Sequence, residues 1–232
     1  MEIEAIVSGV FQNIALNVIE FLRLDPKRAD EISKNIEVVG LESYEATREK
    51  GRGVLILTGH FGNWDLLCVS QAAAGRPMTI ISKKLKPAWL NDDWMKTRSA
   101  YGVEILPERG VFSTLIERLH QGKTIGFVID QHLPQKKGGI LVPFFGRDAW
   151  TTPGLARLAM RSGAPVLPVF MFRMPGGKHR VEIGEEIPIV TGVDDRETEF
   201  LTTVAYNRFL EKQILRAPDQ WLWLHKRWKI NG

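Results

Sequence analysis

Cysteine is nearly absent from this sequence, which has Cys68 alone. One thiol excludes an intrachain disulfide, so we expect the protein to work in a reducing compartment. Because Cys68 lies between apolar neighbours, we predict that it is a core residue. Low-complexity tracts, internal repeats and a domain-dividing linker are also missing. The absence of repeats excludes a repeat protein, and a content of 44% hydrophobic and 25% charged residues excludes a disordered one.

No hydrophobic run long enough to span a bilayer is evident. The uncharged segment Ala5–Ile19 has 15 residues. A helix of that length reaches roughly 22 Å, against about 30 Å of hydrocarbon. Apolar residues at helical spacing predict an amphipathic N-terminal helix over 1–24, which packs on the domain or lies in a membrane interface. The chain opens MEIE without a basic region, so we expect no secretory signal.

Several motifs of hydrolases and metalloenzymes are missing too. Without G-x-S-x-G, no serine nucleophile on a strand-to-helix elbow is indicated. H-x-H, H-E-x-x-H and C-x-x-C are absent as well, although a metal site of Asp130 and His132 with His60 and Asp65 stays an alternative. We favour chemistry that needs no metal and no redox cofactor.

What the chain does have is an alternation of apolar strands and amphipathic helices. Strands are predicted at Val54–Leu57, Met78–Ser82, Val103–Leu106, Thr124–Ile129, Val166–Arg173 and His179–Ile183. Helices are predicted at Trp64–Ala74, Ala88–Ala100, Val111–His120, Gly154–Arg161 and about Asp195–Leu215, with a helix and a connection over Asp25–Lys50. This order predicts a single α/β domain over 1–232, a mostly parallel twisted sheet flanked by helices on both faces.

The stretch LILTGHFGNWDLL, residues 55–67, suggests an acid–base pair. His60 follows a predicted strand, Asp65 falls in the first turn of the next helix, and Asp130 ends another strand. Ligands of such sheets bind beyond the carboxyl ends of the strands. An imidazole accepts a proton well when a carboxylate fixes its tautomer. We therefore predict that a tight turn brings Asp65 back to His60. The alternative is a capped helix start without chemistry.

Five segments in order carry a family resemblance: GHFGNWD, FVIDQH, PFFGR, SGAPVLPVF and WLWLHKRWK. From about residue 11 to 229 they resemble the bacterial lipid A late acyltransferase family, within the lysophospholipid acyltransferase superfamily. The resemblance implies a glycerolipid acyltransferase-like fold. It also implies transfer of an acyl chain from a thioester, acyl carrier protein or acyl-CoA, to a hydroxyl of a glycolipid or lysolipid. A lipid A precursor is the first candidate acceptor.

The resemblance carries over site residues one by one. His60 corresponds to the general base and Asp65 to its partner. Arg98 falls in the family's arginine block, which is associated with acceptor binding. Asp130 and Gln131 match a D-Q block that lies beside the pair and shapes the site.

Further candidate substrate-binding residues are basic or lie in the motif. Arg173 and Arg227 resemble recurring basic positions of the family, and arginine pairs bidentately with the anionic groups of an acceptor. Lys84 closes another predicted strand at the same edge. Backbone amides near Gly62 and Asn63, or a nearby side chain, are the expected donors to a tetrahedral oxyanion.

Location and partners follow from the implied substrates. Members of that family begin with a membrane-anchoring span, so we expect a peripheral protein or one whose anchor is missing, on the cytoplasmic side of the inner membrane. The formal charge of +4 suits an anionic lipid surface or an acidic carrier. We expect a monomer that binds no nucleic acid. The tail 217–232, rich in tryptophan and basic residues, either enters the bilayer interface or seals the core.

Three competing functions remain open. A thioesterase would use the same pair to activate water, and a related transferase would acylate a lysophospholipid or an amino-acid lipid. A lipid-binding protein without activity would retain the fold, although it has no need of a poised base.

Overall fold

Nine strands form in the computed structural model, which describes residues 2–229. They are β1 Ile36–Val39, β2 Val54–Thr58, β3 Met78–Ser82, β4 Glu104–Pro107, β5 Thr124–Val128, β6 Ile140–Phe144, β7 Arg147–Thr151, β8 Val166–Arg173 and β9 His179–Ile183. Seven of them form one sheet in the order β1-β9-β8-β2-β5-β3-β4. All neighbouring strands of that sheet are parallel except β8 and β9. The predicted mostly parallel α/β sheet is confirmed.

Helices connect most of these strands. They are α1 Ile3–Leu22, α2 Ala29–Ile32, α3 Leu41–Arg48, α4 Trp64–Ala73, α5 Ala88–Ala100, α6 Phe112–His120, α7 Gly154–Ser162 and α8 Asp195–Arg216. The predicted bounds of α4 to α8 agree with these to within a residue or so.

Both faces of the sheet are covered, which explains why β2 is a continuous apolar run. Leu55 and Leu57 pack into one core cluster together with residues of α6, α7 and α8. Val54 and Ile56 point the other way, into a second cluster with α4. This alternation is the period of two that a strand imposes. Cys68 belongs to the second cluster, as predicted, and burial raises the pKa of its thiol to about 12.

Two features of the fold were not predicted from the sequence pattern. The edge strand β1 lies within the charged stretch that was expected to hold only a helix and a connection. The hairpin of β6 and β7 lies in the PFFGR segment, where Phe145 and Gly146 form a two-residue loop with φ of 51° and 70°. Such a loop suits a hairpin because two positive φ values match the strand twist.

The exposed side of helix α1 is largely apolar, and its buried side combines Val10 and Phe21 with two asparagines. Asn13 and Asn17 are each 6% exposed, whereas Phe11 is 56% and Leu22 is 72% exposed. The helix is longer than the uncharged segment, so the expectation of a helix too short to span is wrong. By length and composition alone, its 20 residues are sufficient to cross a membrane.

The C-terminal segment runs back along the loop that holds His60. Leu222 donates its backbone N–H to the His60 carbonyl at 3.0 Å, and Trp221 forms an isolated bridge with Phe61. Trp221 and Arg227 are each 1% exposed, but Leu224 is 58% exposed. The described part of the tail therefore seals the core and also leaves an apolar tip outside.

Candidate active site

His60 and Asp130 follow two neighbouring parallel strands. β2 and β5 are paired along their whole length, and the Ile129 amide still donates to the Thr58 carbonyl at 3.3 Å. The next residues of both chains therefore emerge side by side at one edge of the sheet. The prediction that both residues lie at this edge is confirmed.

Asp130 holds His60 through both carboxylate oxygens. Its Oδ1 lies 2.9 Å from His60 Nδ1, and its Oδ2 accepts the backbone N–H of His60 at 2.8 Å. The indole N–H of Trp221 also donates to Oδ2, at 2.9 Å. Asp130 is only 2% exposed, whereas the side chain of His60 retains 22% exposure. The carboxylate is thus enclosed, and the imidazole is accessible.

The electrostatics of the pair favour an ionised carboxylate beside a basic imidazole. Burial by itself lowers the pKa of His60, but the charge and hydrogen bond of Asp130 outweigh it and raise that pKa above 6.5. Asp65 adds to the rise, and Arg98 opposes it. Burial by itself raises the pKa of Asp130, but His60 and Trp221 outweigh it and lower that pKa. With Nδ1 donating to Asp130, Nε2 is the nitrogen that accepts a proton.

Gln131 lies beside the accessible nitrogen. Its side-chain Nε2 is 3.4 Å from His60 Nε2 and 3.5 Å from Nδ1, and the residue is exposed. The indole of Trp64 packs edge-on against the imidazole of His60, with ring centroids 5.2 Å apart. The amide of Gln131 is therefore well positioned to contact a molecule that approaches His60 Nε2.

Asp65 does not bond to His60, and the predicted contact between them is wrong. Its Oδ1 accepts from Arg98 Nε at 2.8 Å and from Arg98 Nη2, and from Trp94 Nε1 at 3.1 Å. Both partners lie on α5, so the carboxylate in the first turn of α4 joins the two helices. Asp130, which follows the neighbouring strand β5, occupies the position beside the imidazole that was expected for Asp65. Arg98 is 8% exposed, so its charge is matched inside the protein.

The turn between β2 and α4 is shaped by Gly62. Its φ is +56°, and a Cβ there would lie 1.8 Å from the Met171 carbonyl oxygen, so no other residue fits. The Gly62 amide donates to the Gln220 carbonyl at 2.9 Å. It is therefore already bonded, and the expectation that it is a donor to an oxyanion is wrong.

Asn63 and Arg173 belong to a polar network that holds α1. Asn63 is 1% exposed; its Oδ1 caps α4 at the Leu66 amide and its Nδ2 donates to Glu20 at 2.7 Å. Arg173 donates to both carboxylate oxygens of Glu20, to Asn13 Oδ1 at 2.9 Å and to Asn17 Oδ1 at 2.6 Å. These polar atoms bind α1, which corrects the substrate contacts predicted for both residues.

The charge of Glu20 is strongly stabilised in this network. Burial by itself raises the pKa of Glu20, but the nearby His179 and the hydrogen bonds from Arg173 and Asn63 outweigh it and lower that pKa to about 2. His179 Nε2 lies 3.4 Å from the Glu20 carboxylate. The carboxylate is therefore ionised at any physiological pH.

Comparison with known proteins identifies the family. Residues 1–230 match the family described as bacterial lipid A biosynthesis acyltransferase. The chain belongs to this family. It is 27% identical to the phosphatidylinositol mannoside acyltransferase of Mycolicibacterium smegmatis over 213 residues, 90% of this chain and 67% of the relative. It is 28% identical to the lipid A biosynthesis palmitoleoyltransferase of Escherichia coli K12 over 207 residues, 85% of this chain and 63% of the relative.

The lipid A biosynthesis acyltransferase family thus includes relatives with two differently named activities. The chain spans about two thirds of the length of these curated relatives. Among solved structures, the 1-acyl-sn-glycerophosphate acyltransferase of Thermotoga maritima matches with a TM-score of 0.44 and 16% identity, covering 90% of this chain and 91% of that one. That likeness is too distant to bear on the site.

Two further residues predicted in this acyltransferase site lie in different settings. Arg227 is buried and donates to the Trp150 carbonyl and to Thr151 Oγ1, each at 2.6 Å, with its guanidinium over the Phe144 ring. Burial lowers the pKa of Arg227 to about 10. Its donors therefore hold the tail on β7, which corrects the predicted substrate contact. Lys84 is exposed in the loop after β3.

Sequence reasoning missed three contributors to the site. The pairing of Asp130 with His60 is one, and the apolar strand ending in FVID, next to β2, was the available signal. Trp221 is another, because nothing local marks which of the tail tryptophans turns inward. His225 is the third: its Nε2 accepts the His132 backbone N–H at 2.8 Å. Burial lowers the pKa of His225.

Within residues 2–229, no group of three or more histidine, cysteine, aspartate or glutamate side chains is arranged to hold a metal ion. His132 contributes its backbone amide to the contact with His225.

Proposed function

We propose that this protein is an O-acyltransferase that moves a fatty acyl chain from a thioester donor to a hydroxyl of a membrane glycolipid. The observation that carries the proposal is the pair of Asp130 and His60, with an accessible Nε2, at the carboxyl edge of the sheet. Membership of a family of acyltransferases supports the reaction class.

In the proposed mechanism, His60 Nε2 takes the proton from the acceptor hydroxyl as its oxygen attacks the thioester carbonyl. Asp130 holds the imidazole in the required tautomer and stabilises the imidazolium that forms. The tetrahedral oxyanion collapses, the carbon–sulfur bond breaks, and the imidazolium returns its proton to the thiolate. Gln131 is the side chain proposed to contact the developing charge, because its amide lies beside Nε2. The chain's own residues supply every proton transfer.

The acceptor is proposed to be a sugar-containing lipid. Relatives are named as acting on lipid A in Escherichia coli and on phosphatidylinositol mannoside in Mycolicibacterium smegmatis. A lipid A precursor is the first candidate, and a phosphatidylinositol mannoside is the comparison. Lysophospholipids and amino-acid lipids complete the set of acceptors to test. Acyl carrier protein and acyl-CoA are the two candidate donors.

The decisive measurement is mass spectrometry of the products with labelled acyl donors and this set of acceptors. We expect one acceptor to gain the mass of one acyl chain with the wild type. The His60→Ala variant should lack this product, and His120→Ala, which changes an exposed histidine on α6, should retain it. Free fatty acid at a rate independent of acceptor would replace the transferase by a thioesterase. Equal product with His60→Ala would exclude His60 as the base.

We also propose that the protein lies on the cytoplasmic face of the inner membrane, with the outward side of α1 in the lipid. Ile3, Val7, Phe11 and Leu22 are exposed along this side, and Leu224 of the tail is exposed too. α1 and the tail together line an apolar cavity of about 290 Å³. A cluster of exposed apolar side chains such as this one is characteristic of a surface that contacts a membrane or another protein.

Sedimentation with vesicles that contain anionic lipid tests the membrane contact. We expect the wild type to bind and the double variant Val7→Ser/Phe11→Ser to bind at least tenfold more weakly, because both side chains leave water on docking. Val193→Ser is the matched control, since Val193 is 93% exposed in the loop before α8. Equal loss with the control variant, or no loss with the double variant, would contradict docking through α1.

A further inference from the structure

Trp221 differs from the other tail tryptophans in the atom that its indole contacts. Its Nε1 donates to the Asp130 carboxylate at 2.9 Å. Trp223 donates instead to the Pro218 carbonyl and Trp228 to the Phe144 carbonyl. Among the tail indoles described by the structure, Trp221 thus has the direct link to the charged partner of His60.

We propose that Trp221 is a positioning residue of the active site, which fixes Asp130 and thereby sets the basicity of His60. This inference rests on the proposed function only for its kinetic consequence. The hydrogen bonds on which it depends are independent of the reaction that the site performs.

The geometry explains how one indole has this effect. Asp130 Oδ2 receives two donors, the His60 backbone N–H at 2.8 Å and the Trp221 indole, so Oδ1 is left to face the ring. Neither group can accept a hydrogen bond instead, because a backbone N–H and an indole N–H are donors only. Two donors on one oxygen therefore keep Oδ1 facing Nδ1, and the His60 backbone N–H still holds this orientation when the indole N–H is removed.

Packing keeps the indole itself in place. Trp221 is 1% exposed and packs edge-on against Phe144, with ring centroids 5.7 Å apart. The backbone on either side is bonded to the His60 loop: Gly62 donates to the Gln220 carbonyl and Leu222 to the His60 carbonyl. The tail thus reaches both members of the pair, one through its backbone and the other through an indole.

The indole also disperses charge on Asp130. A carboxylate that loses a hydrogen-bond donor concentrates its charge on its remaining partners, and it then stabilises an adjacent imidazolium more strongly. Other charged or titratable groups that face the pair are Asp65 from α4, Arg98 from α5, and His225 and Arg227 from the tail. They are the same in a variant that changes Trp221 alone.

The variant Trp221→Phe tests the proposal, because it keeps an aromatic ring and removes the N–H. We expect the pKa of His60 to rise by about half a unit or more, measured by ¹⁵N NMR titration of the imidazole without any substrate. With substrate, we expect kcat to fall about tenfold at little change in KM, because Asp130 then holds the imidazole less firmly and more of the imidazole is protonated at neutral pH. The acidic limb of the pH–rate profile should shift upward with the pKa of His60.

Trp228→Phe is the matched control, since it also removes an indole N–H from the tail, one that is half-buried and bonded to a backbone carbonyl. It should leave the pKa of His60 unchanged, even if it costs stability. Equal shifts in both variants, or no shift in Trp221→Phe, would overturn the positioning role. The NMR titration requires no turnover, so a failure of the acyltransferase proposal would appear separately as absent product in the wild type.

A second measurement needs no substitution. In wild-type protein labelled with ¹⁵N-tryptophan, the indole resonance of Trp221 should titrate together with His60, because the two share Asp130. The indole of Trp228 should not follow that titration. An invariant Trp221 resonance across the titration of His60 would also overturn the proposal.

Discussion

Asp130→Asn is expected to lower kcat by a factor of about 10³ to 10⁴, with the fold retained. An asparagine has nearly the shape of aspartate, but its amide carries no charge to stabilise the imidazolium of His60. It also offers a donor as readily as an acceptor to Nδ1, so the wrong tautomer of the ring becomes populated. Initial rates measured across acceptor concentrations separate this loss of kcat from any change in KM.

Asp65→Asn is the matched comparison because it removes the other carboxylate near the site. Its main expected effect is on stability: the buried guanidinium of Arg98 loses its partner, which costs about 3 kcal/mol in the free energy of unfolding. Denaturant unfolding of both variants measures the difference in their free energies of unfolding. If Asp65→Asn instead abolished turnover at full stability while Asp130→Asn stayed active, the base would be paired with Asp65, as the sequence spacing suggests.

The fold was largely predictable because its signals are local. Continuous apolar runs such as Val166–Arg173 mark strands buried on both faces, and capped amphipathic segments between them mark helices. The strands that escaped are β1, a short edge strand, and the β6–β7 hairpin, whose positive φ at Phe145 is rare for a residue with a Cβ. Neither has a run long enough to stand out from its surroundings.

The site was predictable in its location but not in its pairing. Asp65 is five residues from His60, and the inference from spacing considered only the turn between them. The partner that bonds to His60 is 70 residues away, since parallel pairing of β2 with β5 brings it there. Strand order and the position of Arg98 decide which carboxylate bonds to His60. Neither can be read from a single sequence.

The helix α1 shows a similar limit. Its apolar periodicity correctly predicts an amphipathic helix, and the usual expectation is that the apolar side faces the core. In α1, only Val10 and Phe21 of its apolar residues are buried, because Asn13 and Asn17 occupy the same side of the helix. Each asparagine donates to the Gly62 carbonyl, and both accept from Arg173. Buried polar partners at the sheet edge thus determine the orientation, and those partners come from distant parts of the chain.

Glu20→Gln is expected to lower the free energy of unfolding by about 3 kcal/mol at pH 7, because it leaves the guanidinium of Arg173 inside the protein without its carboxylate. The sign of the pH dependence follows from the lowered pKa. The folded pKa of Glu20 is about 2, below its usual 4.5, so the ionised carboxylate stabilises the fold fully above pH 4.5. That stabilisation is lost as the pH falls toward 2.

Denaturant unfolding of the wild type and the variant at several pH values between 7 and 3 checks both parts. The difference in unfolding free energy should be constant above pH 4.5 and should shrink below it. Glu4→Gln is the control, because Glu4 is an exposed carboxylate on the same helix. If Glu20→Gln were as stable as Glu4→Gln at pH 7, Glu20 would not hold α1. The outward orientation of its apolar side would then depend on Asn13 and Asn17 alone.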